Sequence, residues 1–257
     1  MINGISGCSI AIDSKTIIKS AISYPKDRLI KQGYKQQQFY HPKIYTPQIF
    51  NIANDHISMA YINGYNFLDF CDKYGPEYII GKFKIVIDYI QQNIRETIEL
   101  DRIIIIDKIK EIESKTSLKL DIRVPKHIVI PAGYCHGDLT LSNILIEKDT
   151  YNIFYIDFLD SFIESPLIDI VKLRQDTQFL WSVNLFNHKT IDIIRIKLIF
   201  GYLDQYLHNY FVPNDWYKIN YTLFQQLNLA RTLPYIKNLE LQKQIYEYIN
   251  TPSMWPI

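Results

Sequence analysis

The sequence predicts an α+β chain, with a small antiparallel, strand-rich N-terminal region and a larger, mainly helical remainder. Three observations carry this. Residues 8–22, CSIAIDSKTIIKSAI, place two β-branched runs around an Asp13-Ser14-Lys15 turn, the mark of a hairpin. Beyond residue 66 apolar residues recur at helical spacing, with Ile79, Ile80, Phe83, Val86, Ile87 and Ile90 on one face. Among these helices a single segment stands out: ILIEKDTYNIFYIDF at 144–158 sets two apolar runs around a polar Glu-Lys-Asp-Thr turn, again a hairpin.

The remaining elements follow from the same rules. KDRLIKQGYKQQQFYH, from Pro25 onward, has helical composition, and Pro25 suits a helix entrance. HPKIYTPQIF carries two prolines and should be extended or looping. ISMAYI at 57–62 is a short strand ended by the turn signal Asn63-Gly64. Helices are expected at 66–73, 76–99 and 103–117, followed by the extended LKLDIRVPKHIVIPAG. Pro166 opens a further helix, LIDIVKLRQDTQFLW, and 188–211, 214–231 and 236–250 complete a helical end. There is no internal repeat and no low-complexity linker. The domain expectation is a lobe at 1–62 and a second at 63–257, joined through residues 60–64.

Composition excludes several functions. The 257 residues suffice for one large domain or two small lobes, and 47% apolar with 21% charged content is that of a folded chain. A net charge of +1, with 28 basic residues scattered among 27 acidic ones, leaves no electrostatic footprint for nucleic acid. The greasiest stretch, Ile103 to Ile106, is far too short to span a bilayer, so no membrane partner is expected. MINGISGCSIAIDSK lacks a basic segment followed by an apolar core and does not read as a secretory signal. Cys8, Cys71 and Cys135 have neither CxxC spacing nor zinc-type His partners, and a reduced, cytoplasmic setting is the simplest reading.

The chemistry concentrates in YCHGDLTLSN at 134–143 and IDFLD at 156–160. Asp138 is followed five positions later by Asn143, and Asp157 comes at the end of the hairpin's second strand. Phosphoryl transfer needs a group that orients the acceptor hydroxyl, oxygen ligands for magnesium, and a cation on the non-transferred phosphates. An Asp, an Asn and a second Asp in this order supply the first two. The alternative reading makes Asp138 and Asn143 turn caps and Asp157 a strand-end cap.

HGDLTLSNIL and YIDFLD closely resemble the HGDLxxxNxL and IDF patterns of the aminoglycoside phosphotransferase and choline kinase group. That group is the small-molecule branch of the protein-kinase-like fold, in which Gly replaces the Arg of the protein-kinase H-R-D loop. The resemblance implies a two-lobed protein-kinase-like fold with a reduced antiparallel-sheet N-lobe and a mainly helical C-lobe. It implies ATP and Mg2+ as cofactors and a small-molecule hydroxyl as acceptor: a sugar, amino sugar or amino alcohol. In it Asp138 orients or deprotonates the hydroxyl, Asn143 and Asp157 hold magnesium, and His136 braces the loop. ISMAYINGYNF resembles the family's hinge, so backbone groups of Met59, Ala60, Tyr61 and Ile62 would meet the adenine. SPLIDIVKL resembles the helix whose Asp, here Asp169, supports the catalytic loop, and ARTLPYI resembles the closing helices. Lys19 in TIIKSA is the candidate phosphate-binding cation, with Lys15 as its competitor.

The pattern departs from the family in two places. The helix after Lys19 contains no Glu, leaving Gln36 or Gln32 to hydrogen-bond the ammonium, or simply to face water. Few residues precede the first strand, so Asn3-Gly4-Ile5-Ser6-Gly7 would be a reduced glycine loop. These gaps keep a second function open, a nucleotide-binding pseudokinase or scaffold. A protein kinase is disfavoured because the interval from Asp157 to Pro166 is too short for a peptide platform. Asp160 could contact a second ion or a substrate amine, and Glu164 reads as surface. Asp204, Glu240 and the C-terminal aromatics Trp181, Tyr202, Tyr206, Trp216 and Tyr221 could receive a cationic acceptor, or serve as helix surface and core.

Overall fold

The computed structural model describes residues 2–3, 7–186 and 192–255. The chain divides into two compact units, Met1–Tyr89 with His136–Phe162, and Ile90–Cys135 with Ile163–Ile257.

The first unit begins with β1 (Ile2–Asn3), β2 (Cys8–Asp13), β3 (Thr16–Ala21) and α1 (Lys26–Gln37). It continues through β4 (Ile44–Tyr45), β5 (Ile49–Ile52), β6 (His56–Ala60), β7 (Gly64–Asn66), α2 (Phe67–Lys73) and most of α3 (Pro76–Gln92). Five strands form an antiparallel sheet in the order β1-β2-β3-β6-β5, in register Ile10↔Lys19 and Lys19↔Ile57. The predicted hairpin at 8–22 is therefore present, with Ser14 taking the positive φ that its turn demands. Asn3 and Gly7 aside, the reduced glycine loop expected at 3–7 lies outside the described residues.

α1 seats closely on this sheet. A Cβ at Gly33 would come within 2.9 Å of the tip of the Ile57 side chain, which would have to shift to make room. The inward face of α1 is Leu29, Gln32, Gly33 and Gln36, a helical i, i+3, i+4, i+7 stripe. Two glutamines thus occupy positions where an apolar residue is the rule. They are not the solvated surface that their polarity also allowed.

The second segment of this unit supplies β10 (Ile144–Glu147) and β11 (Ile153–Tyr155), the expected hairpin. These strands complete a four-stranded sheet in the order β4-β11-β10-β7. Against the hairpin lies an aromatic cluster in which Phe39, Tyr89, Tyr155, His136 and Phe158 meet with centroids 4.2 to 5.8 Å apart. Such contacts stabilise beyond their buried area.

The second unit contains a short ladder of β8 (Glu96–Glu99) and β9 (Val129–Ala132), with α4 (Arg102–Thr116) between them. The helix expected to run to residue 99 thus stops at Gln92, and 96–99 pair as a strand instead. Thr97 and Ile98 favour that pairing, and Asn93 closes the helix through its N–H to Ile90 O. Helices α5 (Pro166–Thr177), α6 (Trp181–Phe186), α7 (Ile193–Phe211), α8 (Asp215–Ala230) and α9 (Leu239–Asn250) follow. The expected helix at 188–211 is described from Ile193, and 188–191 lie outside the described residues. α6 is a separate helix, set off by Leu180 at positive φ.

Every residue of α5 is buried. Its Arg174 makes a two-pronged contact with Asp204 of α7, Nε to Oδ1 at 2.8 Å and Nη2 to Oδ2 at 2.6 Å. Thr177 and Tyr217 complete the hydrogen bonding, which is what a buried ion pair requires. Among the described residues no helix is long and apolar enough to cross a membrane.

Candidate active site

The His136–Asn143 loop is built by its own hydrogen bonds. Asp138 N–H donates to His136 Nδ1 at 3.2 Å, and His136 Nε2 donates to Ile156 O at 2.9 Å. One ring nitrogen accepts and the other donates, so the imidazole is neutral. Burial pushes its pKa down to about 4, against the opposing charge of Asp138. The ring lies 4.2 Å from that of Phe158. The His136 ring therefore ties the Asp138 amide to the Ile156 carbonyl.

In the unfolded chain a histidine titrates near 6.5; in the fold it stays neutral until about pH 4. Stability from this group is complete above pH 6.5 and falls through the interval below it, by about 1.4 kcal/mol per pH unit. Urea midpoints between pH 7 and pH 4 should show this fall, and His136→Gln should flatten it. An unchanged pH slope in the variant would refute the assignment.

Asp138 and Asn143 come into direct contact. Asn143 Nδ2 donates to Asp138 O at 2.8 Å and to Asp138 Oδ2 at 3.3 Å. A short 3-10 turn, Leu141–Asn143, makes this possible by folding the chain back within five residues. Both of these contacts use the amide nitrogen, not its oxygen. Ile156 N–H donates to Asn143 O, continuing the β10–β11 pairing of Ile144 with Tyr155. Asp157 is thus the second residue beyond β11, and it takes a positive φ of 61°. A non-glycine residue there costs about 1–2 kcal/mol, a cost that functional sites commonly carry.

Lys19 reaches the same place from β3. Its Nζ lies 3.0 Å from Asp157 Oδ1 and 3.3 Å from Gln32 Oε1, and the residue is 8% exposed. Burial draws the ammonium pKa down, but the charge and hydrogen bond of Asp157 outweigh this and leave it raised. Gln32 is held in turn through its Nε2, which donates to Tyr24 Oη at 2.5 Å. Gln36, the other glutamine considered, does not serve Lys19: its amide donates to Pro47 O at 3.0 Å and touches Met59 Sδ. The two are one helical turn apart, and Gln36 meets Met59 of β6 while Gln32 meets Lys19 of β3.

A cavity of about 290 Å³ opens beside this cluster within the first unit. Met59, Ala60, Tyr61 and Ile62 line it, as do Lys19 and Asp157, with apolar walls from Ile17 and Ile156. Asp138 and Asn143 are not among its lining residues. The cavity also meets Asn66 and Asp69, which sequence reasoning missed; Asn66 caps α2 by accepting from Asp69 N–H at 2.8 Å. The sequence signal for them was only the ordinary N-cap.

The other candidates fall elsewhere. Asp160 is exposed and pairs with Lys31 at 3.4 Å. Asp169 is 1% exposed in α5 of the second unit. There its charge, after burial and with that of Glu164, raises the pKa of Tyr134. Glu164, read as surface, is exposed but accepts from Cys135 N–H at 3.1 Å. Asp204 is committed to Arg174, whose guanidinium sits 4.3 Å from the centroid of Tyr221. Of the aromatics named, Tyr221 thus already faces a cation of the protein itself.

Magnesium is a hard ion that takes few protein ligands and completes its shell with water and phosphate oxygens. Asn143 Oδ1 and Asp157 Oδ2 have the right chemistry. Among the described residues no group of three or more His, Cys, Asp or Glu could hold a metal, so a site made only of protein ligands is not offered.

No protein-family model matches the chain, and no curated protein matches its sequence. Its fold does match solved structures. A glucosamine kinase superposes over 93% of this chain and 73% of its own, with a TM-score of 0.53 at 10% identity. The ternary complex of APH(2")-IIa with streptomycin and ATP superposes over 94% and 90%, with a TM-score of 0.52 at 11% identity. ADP-bound aminoglycoside phosphotransferase APH(2'')-Ib superposes over 94% and 91%, with a TM-score of 0.50 at 12% identity. Likeness at this identity speaks for the fold, and the resemblance carried by HGDLTLSNIL and YIDFLD is borne out at that level: the chain has the protein-kinase-like fold.

Proposed function

We propose that the protein is an ATP-dependent kinase that transfers the γ-phosphate to a hydroxyl of a sugar, amino sugar or amino alcohol. In this reading residues 1–62 are the nucleotide-binding lobe, and 63–257 the catalytic and substrate lobe. Three buried thiols, none in a disulfide, fit a reducing, cytoplasmic setting. The observation that carries the proposal is the meeting of a buried Lys19 with Asp157 at 3.0 Å on the wall of a cavity lined by residues 59–62.

Backbone groups of Met59 to Ile62 would receive the adenine. Lys19 would turn from Asp157 to the non-transferred phosphates, its ammonium aimed by Gln32 Oε1. Asn143 and Asp157 would hold magnesium, which when bound neutralises charge on the phosphates. Asp138 would accept the hydrogen bond of the acceptor hydroxyl, its carboxylate oriented by Asn143 Nδ2. A positioned carboxylate in this role contributes about 10²–10⁴-fold to rate.

The test is a panel of sugars, amino sugars, choline, ethanolamine and nucleosides with γ-labelled ATP, using Asp138→Ala as the blank. Label should pass to one acceptor class with the native protein and not with the variant. Equal transfer by both would remove Asp138 from its role. A second reading, a nucleotide-binding pseudokinase, is favoured by one observation: α1 offers Lys19 an amide where a carboxylate would supply charge. Magnesium-dependent ATP binding with no transfer to any acceptor in the panel would select it.

A further inference from the structure

The carbonyl and amide of Leu159, two residues past Asp157, are both engaged. Leu159 N–H donates to His136 O at 3.0 Å. Leu159 O accepts from Lys35 Nζ of α1, also at 3.0 Å. The same carbonyl oxygen lies 2.2 Å from where a Cβ on Gly137 would stand. One residue therefore joins three elements: the His136–Gly137–Asp138 loop, the segment that carries Asp157, and helix α1. A second lysine of α1, Lys31, also faces this segment through Asp160, but both members of that pair are largely exposed, and such pairs contribute little.

We infer that Lys35 is a positioning residue, which by holding the Leu159 carbonyl against Gly137 fixes the placement of Asp157 relative to Asp138. An ammonium-to-carbonyl hydrogen bond is charge-assisted and stronger than a neutral one. Its direction also matters: the cation projects from the helix to the loop, whereas the inward amide of Gln32 brings no charge to Lys19. α1 therefore governs the metal-binding segment through Lys35. The catalytic consequence rests on the kinase reading above; the structural one does not.

Two measurements on the full chain separate these. In Lys35→Met, which keeps the aliphatic stem, the Leu159 amide of the ligand-free protein should exchange with solvent about tenfold faster. The magnesium concentration that half-saturates ATP binding should rise by a similar factor, while magnesium-free ATP binding stays as in the native protein. Lys35→Arg should restore both. Unchanged Leu159 exchange in Lys35→Met overturns the inference. Faster exchange with unchanged magnesium dependence overturns the link to Asp157. A native protein with no magnesium-dependent ATP binding overturns the kinase reading, and the exchange measurement still judges the role of Lys35 in holding the loop.

Discussion

Asp157→Ala is expected to abolish magnesium-dependent ATP binding and to lower phosphotransfer by on the order of a thousandfold or more. Two losses combine in it. The carboxylate is the charged oxygen ligand that the proposed magnesium site draws from the cavity wall. It is also the partner that keeps the buried Lys19 ammonium compensated, at 3.0 Å. Without it Gln32 alone would face that ammonium, and burial would pull the pKa of Lys19 down rather than up. Calorimetry of ATP binding with and without magnesium reads the first loss, and a steady-state assay with whichever acceptor the panel yields reads the second. ATP binding that keeps its magnesium dependence in the variant would exclude Asp157 as the ligand.

Gly137→Ala should be nearly as damaging by a different route. Gly137 has φ at 87°, where an L side chain is strained, and a Cβ there would overlap Leu159 O at 2.2 Å. The obstacle is backbone, which cannot swing aside as a side-chain tip can. Accommodating the methyl group would require the Leu159 segment to leave His136 O and Lys35. The expected cost is on the order of 3 kcal/mol, together with loss of transfer, read from urea midpoints and the acceptor assay. A variant as stable and active as the native protein would mean that the 136–138 loop and the 157–159 segment are not packed as described. This also gives a physical reason for the glycine in HGD: the space of a side chain is occupied by the neighbouring carbonyl.

Much of this was legible in the residues. The β-branched runs around Asp13-Ser14-Lys15 and the hairpin at 144–155 carry local patterns that tertiary contacts did not override. Asp138, Asn143 and Asp157 were readable because the loop that joins them is local, five residues and one hairpin long. The choice between Gln32 and Gln36 was not readable. Both lie on the inward stripe of α1, and only the position of the sheet strands beneath that helix decides which one Lys19 meets. Lys35 had no signal at all, because its partner is a main-chain carbonyl 124 residues away, and a carbonyl leaves no trace in a sequence. Residues 96–99 were misassigned because Glu-Thr-Ile-Glu continues a helical register as readily as it forms a strand. Its pairing with 129–132 is a long-range fact.

The interrupted first unit bears on how the chain reaches its native state. Strand β4 hydrogen-bonds to β11, and β7 to β10, yet those partners are encoded about a hundred residues later. Lys19 likewise waits for an aspartate 138 positions downstream. During synthesis from the N-terminus, the early strands must therefore remain without these neighbours until residue 157 has left the ribosome, and closing so long a loop is slow. Lys19 would thus wait through the synthesis of 138 residues for its carboxylate partner. The cavity beside it could close only once Asp157 had emerged.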